Sequence, residues 1–249
     1  GKHLLVQKPH AVRAEHVREF ASAADAAGVT LQFCYFMRHF PLNRALRERI
    51  RAGAIGEPYH GRVFLKYNTR PAPEGITRWL QIYGQKGGVL AQHASHEFNL
   101  AWSWLGCPEP AWAHAAKHVV NPVYDGPEGP AEDYLSGLVG FKSGQTLQID
   151  CSRWLHADLP TTVEIFGTEG AISHREITRL TDGGYERETV DADPDFPHSG
   201  NMGLYFYHEI EHFARAISGA VAPEPDAQEA YQFMRVLDGL YDSALAEEK

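Results

Sequence analysis

Apolar positions along the chain keep two different rhythms, and the change falls near Tyr59. Before it, the run Leu4-Leu5-Val6 meets the polar turn Gln7-Lys8-Pro9. "AEHVREFASAADAAG" then sets Val17, Phe20, Ala21 and Ala24 on one helical face, with Gly28 as the stop. "LQFCYF" (31–36) follows as a buried strand. Strand, helix and strand at this spacing predict a parallel crossover unit of an α/β sheet. "PLNRALRERIRAG" predicts a second helix from Pro41 to about Gly53.

After Tyr59 short strand-like segments dominate: "YHGRVFLKYN", "AWAHAAKHVV", "DYLSGLVGF", "QTLQIDCSRW", "TTVEIFGT", "GAISHR", "ITRLTD" and "YERETVD". The turns between them ("KSGQ", "GTEG", "TDGG") predict a largely antiparallel sheet. Helices over about 203–218 and 226–247 close the chain. Two long loops, about 69–86 and 191–201, stand out, and such loops in compact domains tend to be functional. The fold class is therefore α/β (α+β): the tail of a doubly wound parallel sheet, then a large, mostly antiparallel open sheet covered by helices on one face. Two parallel strands leave an unpaired edge and an uncovered face. The expectation is that the chain opens mid-strand because a preceding segment is missing.

Charge and cysteine content narrow the function. A net charge of −9 with no basic patch argues against a nucleic-acid partner. No apolar run reaches the roughly 20 residues of a membrane span. Cys34, Cys107 and Cys151 are too scattered for a disulfide framework, so a reducing, cytoplasmic setting is expected.

"GGVLAQHASHEFNLAWSWLG" (87–106) is the most informative stretch. Two glycines open it and Gly106 ends it. Most of it is apolar, as in a helix buried nearly all round. Gln92, His96, Asn99 and Ser103 nevertheless recur at steps of four, three and four, one polar stripe on a buried helix. Such groups need partners, in a polar network or at a cleft. Lys8, at the carboxyl end of a parallel strand, lies where open α/β sheets bind ligands. A Lys and a His facing one cleft can hold a substrate hydroxyl and move its proton.

These segments together resemble the Gfo/Idh/MocA oxidoreductases, NAD(P)-dependent sugar and cyclitol dehydrogenases. Gln7-Lys8-Pro9 after "GKHLLV" is similar to the family's Glu-Lys-Pro turn. Arg38-His39-Phe40-Pro41 resembles its Arg-x-x-Pro, and "RAGAIGEP" its next turn. Gly87 through Asn99 resembles its GGG-x-L-x-D-x-G-x-H-x-x-D helix. "VEIFGTEGAI" and the closing helices match in kind, so the resemblance spans the chain. It implies a Rossmann-like remnant over 1–36 and a substrate-binding and oligomerisation domain over 37–249. The nucleotide-binding part, on the order of 100 residues with a GxGxxG turn, would precede Gly1.

The resemblance further implies NAD or NADP as cofactor, with Gln7, Lys8 and Pro9 beside it, and a polyol or sugar substrate. Lys8 and His96 would be catalytic. Gln92, Asn99, Arg38 and Trp79 would touch substrate. It also implies a homo-oligomer formed through the open sheet face, with Trp112, Leu138, Ile149 or their neighbours needing cover. Three family carboxylates are amides or their equivalents here: Gln7, Gln92 and Asn99. An amide holds a hydroxyl but cannot take its proton, which leaves Lys8, its pKa lowered by burial, or His96, titrating near neutrality, as the base. A non-catalytic oligomeric scaffold and redox-assisted glycoside cleavage are the alternatives to a dehydrogenase.

Other signals carry less. "HEIEH" (208–212) matches the zinc-protease pattern, but Glu211 falls at an inner helix position and no HxxGxxH extension follows. The helix would instead bury Phe206, Ile210, Phe213 and Ile217, and no metal is expected. His114 and His118 suit an exposed strand face. Arg153 and His156 fit either the cleft or the surface.

The 249 residues alone are expected to bind NAD(P) weakly, because no glycine-rich turn leads to a helix N-terminus for the pyrophosphate. Calorimetry on this chain should show no micromolar binding.

Overall fold

The computed structural model describes residues 1–67, 82, 87–120, 129–192 and 202–246. The loop expected at 69–86, with Trp79, and most of that at 191–201 lie outside the described residues. Strand β1 (Leu4–Val6) pairs in parallel with β2 (Leu31–Phe33). Helix α1 (Ala14–Ala27) joins them and ends at Gly28, whose left-handed φ of 61° lets its N–H return to the carbonyls of Ala24 and Asp25. Its buried stripe is narrower than the expected one: Ala14, Val17 and Ala24 are covered, while Phe20 is 39% exposed. β2 is also shorter than its apolar run, because Phe36–His39 coil into a 3₁₀ turn that feeds α2 (Pro41–Arg51).

The second sheet has eight strands in the order β10-β9-β8-β7-β3-β6-β5-β4. They are β3 (Pro58–Lys66), β4 (Pro110–His118), β5 (Tyr134–Phe141), β6 (Thr146–Ser152), β7 (Thr162–Gly167), β8 (Ala171–Ser173), β9 (Glu176–Thr181) and β10 (Gly184–Thr189). Only the β3–β6 pairing is parallel among the pairings in this sheet. Strand alternation sends Val63, Leu65, Val139, Leu147, Ile149 and Ile165 to one face. Helices α3 (Ser95–Trp104) and α5 (Ala227–Ala246) cover it.

The opposite face is more polar than expected. Arg62 pairs with Glu164 at 2.7 Å, His60 meets the Thr146 hydroxyl at 2.8 Å, and Gln148 donates to Asp150 at 2.9 Å. Trp112 is 45% exposed there and Leu138 is half-buried. Ile149 does not belong to this face. Register puts it opposite Gly137 and one residue out of phase with Gln148, so it is fully buried under the helices. His114 and His118 are exposed.

Helix α4 (Met202–Ile217) is rotated from the expected orientation. Glu209, His212 and Ala216 are buried, whereas Ile210 and Ile217 are exposed, as is Glu211. The cause is polar complementarity at the end of β2. His212 Nδ1 lies 3.1 Å from Gln32 Oε1, and Glu209 bonds to the Cys34 thiol and the Tyr35 backbone. No helix among the described residues is long and apolar enough to cross a membrane.

Truncation should separate the two sheet faces. Ile149→Ala is expected to cost about 2–5 kcal/mol, as for a buried aliphatic side chain. Leu138→Ala should cost about 1 kcal/mol or less. Urea unfolding of the two variants checks the assignment, and equal losses would refute it.

Candidate active site

The segment after Gly87 begins under a steric constraint. Gly88 has φ +99°, and a Cβ there would fall 2.1 Å from the Glu132 carboxylate. Glu132, wholly buried, accepts the Leu90 N–H and the Tyr241 hydroxyl, each at 3.1 Å. Its backbone carbonyl accepts the Val89 N–H at 3.0 Å. The chain then makes a π-helical turn, Leu90–Ala94, before the regular α3. A π turn inserts extra width and delays the phase of every later residue.

The π turn therefore falls between Gln92 and the rest of the stripe, while His96, Asn99 and Ser103 keep their steps of three and four on α3. Lys8, just beyond β1, places its ammonium on the backbone carbonyl of Gln92, inside the π turn. His96 faces the same region, with its ring against Phe36 at 4.4 Å and Tyr35 at 5.9 Å between centroids. Its Nδ1 is buried and meets no hydrogen-bond partner among the described residues. Gln92 is buried beside them, and Gln7 is exposed at the strand end with Pro9 half-buried.

Asn99 and Arg38 come together. The Arg38 guanidinium is 3% exposed; Nε donates to Asn99 Oδ1 at 2.6 Å and Nη1 to Glu229 at 2.5 Å. Nη2 reaches the Cys107 sulfur at 3.8 Å. This network ties α3 and the 3₁₀ turn to α5. Ser103 likewise returns its hydroxyl to the Leu100 carbonyl.

Three groups near Lys8 were not singled out by the sequence pattern: His10, His93 and Glu97. His10 packs between Phe33 and Tyr35, and His93 stacks on Tyr67 at 4.2 Å. Glu97 is half-buried, but its Oε2 is shut from solvent and has no hydrogen-bond partner among the described residues. Glu97 also borders an apolar cavity of about 410 Å³ walled by Met37, Phe40, Leu42, Trp104 and Val163. The only signal for Glu97 in the sequence was adjacency to His96, since five residues from Gln92 is off an α-helical stripe. Arg153 is buried, with Nε and Nη2 lacking hydrogen bonds among the described residues, and its charge is felt at His93.

Burial dominates the electrostatics. It brings the Lys8 ammonium down to about 8, against the opposing pull of Glu97. Burial, then the charge of Lys8, holds His96 well below its ordinary value, so His96 is neutral and does not titrate near neutrality as expected. His93 falls to about 3 through burial and Arg153. Burial lifts the Glu97 carboxyl to about 7, with Lys8 opposing. The groups that titrate near neutrality are thus a Lys and a Glu rather than the His.

Residues 47–248 match the family described as the oxidoreductase family, C-terminal alpha/beta domain (GFO_IDH_MocA_C). The chain is 35% identical over 179 residues to 1,5-anhydro-D-fructose reductase of Ensifer adhaerens, covering 71% of this chain and 51% of that protein. It is 25% identical over 228 residues to scyllo-inositol 2-dehydrogenase (NAD(+)) of Bacillus subtilis, covering 90% of this chain and 63% of that protein. The chain therefore spans between half and two-thirds of the length of these relatives. The solved structure of levoglucosan dehydrogenase in complex with NADH and levoglucosan shares the fold, with a TM-score of 0.81, 21% identity and coverage of 99% of this chain and 72% of that one.

Glu132 yields a pH prediction. Burial raises its carboxyl to about 7, above the ordinary value of 4.5 that an unfolded chain keeps. As pH rises from 4.5 to 7 the unfolded state loses its proton first, so this group's contribution to stability falls, and the loss is complete above 7. Glu132→Gln keeps the shape without the charge. Its stability relative to the unmodified protein should improve by on the order of 1–3 kcal/mol between pH 4.5 and 7.5. Parallel pH–stability curves in urea would contradict this.

Proposed function

The chain belongs to the Gfo/Idh/MocA oxidoreductase family, and from that premise we propose that it carries the substrate half of an NAD(P)-dependent dehydrogenase acting on a hydroxyl of a sugar, cyclitol or sugar derivative. In this reading residues 1–36 end the dinucleotide-binding domain and residues 37–249 form the substrate and oligomerisation domain. The observation that carries it is the seat of Lys8: a half-buried ammonium at the carboxyl end of a parallel strand, resting on the Gln92 carbonyl within electrostatic reach of His96.

The residues present fit the nicotinamide end of an NAD or NADP cofactor. Gln7 is exposed at the end of β1, the edge at which doubly wound sheets receive ligands, and Lys8 and Pro9 follow at the rim of the cleft. Gln7, Lys8 and Pro9 would hold that end. When bound, the cofactor supplies a hydride acceptor. The chain's own residues do the rest. Lys8 holds the reacting oxygen, and with a pKa near 8 a useful fraction is neutral amine able to take the hydroxyl proton. Neutral His96 orients the substrate through its imidazole. Gln92 holds a second hydroxyl. Arg38 and Asn99, engaged with Glu229, brace α3 rather than touch substrate.

We also place a homo-oligomer contact on the open sheet face around Trp112, so Trp112→Glu should lower the sedimentation coefficient of the intact protein at micromolar concentration, and an unchanged value would count against that face.

In the intact protein, screened against polyols with both cofactors, Lys8→Met should reduce kcat/KM by about 10³-fold or more and His96→Asn by roughly 10²-fold. If no polyol is turned over with either cofactor, the scaffold reading prevails. Gln92→Asp should lower the rate and change substrate preference if the amide reflects a different substrate; a raised rate would mark Gln92 as lost chemistry.

A further inference from the structure

We propose that the apolar cavity beside α3 is a second ligand site, separate from the cleft at Lys8 and built for a small aromatic carboxylate. Its volume of about 410 Å³ falls within the roughly 300–1,000 Å³ typical of small-molecule sites. Lys8, Gln92 and His96 are not among its lining residues. α3 reaches it with Glu97, Leu100 and Trp104, at steps of three and four along one face. The chain leading into α2 adds Met37 and Phe40, α2 itself adds Leu42, and β7 adds Val163.

Two features select the ligand. The first is the wall. It is mainly aliphatic and aromatic, and its Trp104 is fixed by an indole N–H that donates to the Asn43 carbonyl at 3.2 Å. Trp104 and Phe40 offer ring faces and edges to a flat apolar group. The second is a cation at the rim. Arg175 is half-buried, and its side chain makes no ion pair or hydrogen bond among the described residues. Acidic residues outnumber basic ones in this chain by 32 to 23, so an arginine without a carboxylate stands out. Arg49 and Arg179, by contrast, both pair with Glu188. A free guanidinium presents a planar fork that matches a carboxylate.

The backbone that presents Arg175 is itself unusual. Ser173 pairs with Glu176, so His174 and Arg175 form the whole of a two-residue hairpin turn between β8 and β9. Such turns favour Gly or Asn at the first position, where φ is positive. Here His174 takes that position with φ +55°. Sequences break local rules of this kind chiefly where a side chain is needed for function. Glu97, His174 and Arg175 are the charged and titratable groups on the lining. Burial lifts the Glu97 carboxyl to about 7, so in mild acid it meets a ligand as a hydrogen-bond donor and not as a repelling charge.

The test titrates the intact protein at about pH 6 with phenylacetate, the neutral phenylacetamide and the cation 2-phenylethylammonium. The Trp104 indole N–H resonance is the reporter, assigned by its loss in Trp104→Phe. Phenylacetate should shift it with a Kd on the order of 0.1–1 mM, at least about 5-fold tighter than phenylacetamide. Arg175→Gln should weaken phenylacetate about 10-fold and leave phenylacetamide within about 2-fold. Leu42→Trp, which fills the cavity from a half-buried position, should abolish binding of both. Arg175→Gln lies at the rim and keeps the test decisive if Leu42→Trp disturbs the packing. An unmoved Trp104 resonance at about 10 mM phenylacetate overturns the proposal. So does equal binding of the acid and the amide, or a preference for the ammonium, which assigns the cavity to Glu97 instead. The readout does not depend on turnover, so its failure is distinct from a failure of the dehydrogenase reading.

Discussion

The buried carboxyl of Glu132 holds three parts of the molecule in one place. It receives the first free N–H of the π turn and the hydroxyl of Tyr241 on α5, and it occupies the space that a side chain at residue 88 would need. Helix starts leave N–H groups without partners, and a buried start must find them. Here the acceptor comes from the residues just before β5, so the sheet, the central helix and the last helix are registered by one side chain. The π turn hangs from this point, and with it the placement of Gln92, His93 and His96. Gly88 is required in the literal steric sense: both its φ and its neighbour exclude a Cβ.

The large sheet supplies the platform. One face is close to fully apolar and packs under α3 and α5, while the other is laced by ion pairs and amide contacts. A second buried network, Arg38 with Asn99, Glu229 and Cys107, joins the first sheet's 3₁₀ turn to α3 and α5. Removing one member of such a network strands the others in a low dielectric, which is why its members act as a unit. The result is a helix that carries His96 against Tyr35 and Phe36, beside the turn after β1 that carries Lys8.

The same low dielectric governs the chemistry. Lys8, three histidines and two carboxyls crowd a small region, and burial pushes each toward its neutral form. Histidine, which titrates near neutrality in water, is suppressed here. Lysine and glutamate, far apart in water, converge on midpoints of about 8 and about 7.

Element existence and order were legible in the sequence because they rest on local periodicity: the apolar stripe with Gly28 as a stop, Pro41 opening α2, and the alternation that sends Val63, Leu65 and Leu147 inward. Lys8 and His96 were legible as candidates because a charged strand end and a polar stripe on an apolar helix are costly unless employed. What tertiary structure decided was phase. A π turn, invisible to a 3.6-residue period, shifted the phase between Gln92 and the His96, Asn99 and Ser103 positions on α3. Polar partners on β2 rolled α4 so that Glu209 and His212 went inside and Ile210 outside, against hydrophobicity alone. Ile149 went under the helices while Leu138 stayed on the open face, because register, not composition, says which of two adjacent apolar strands' residues points to the helices. The pKa order likewise depends on burial and on neighbours drawn from five distant segments, a sum that no local stretch of sequence contains.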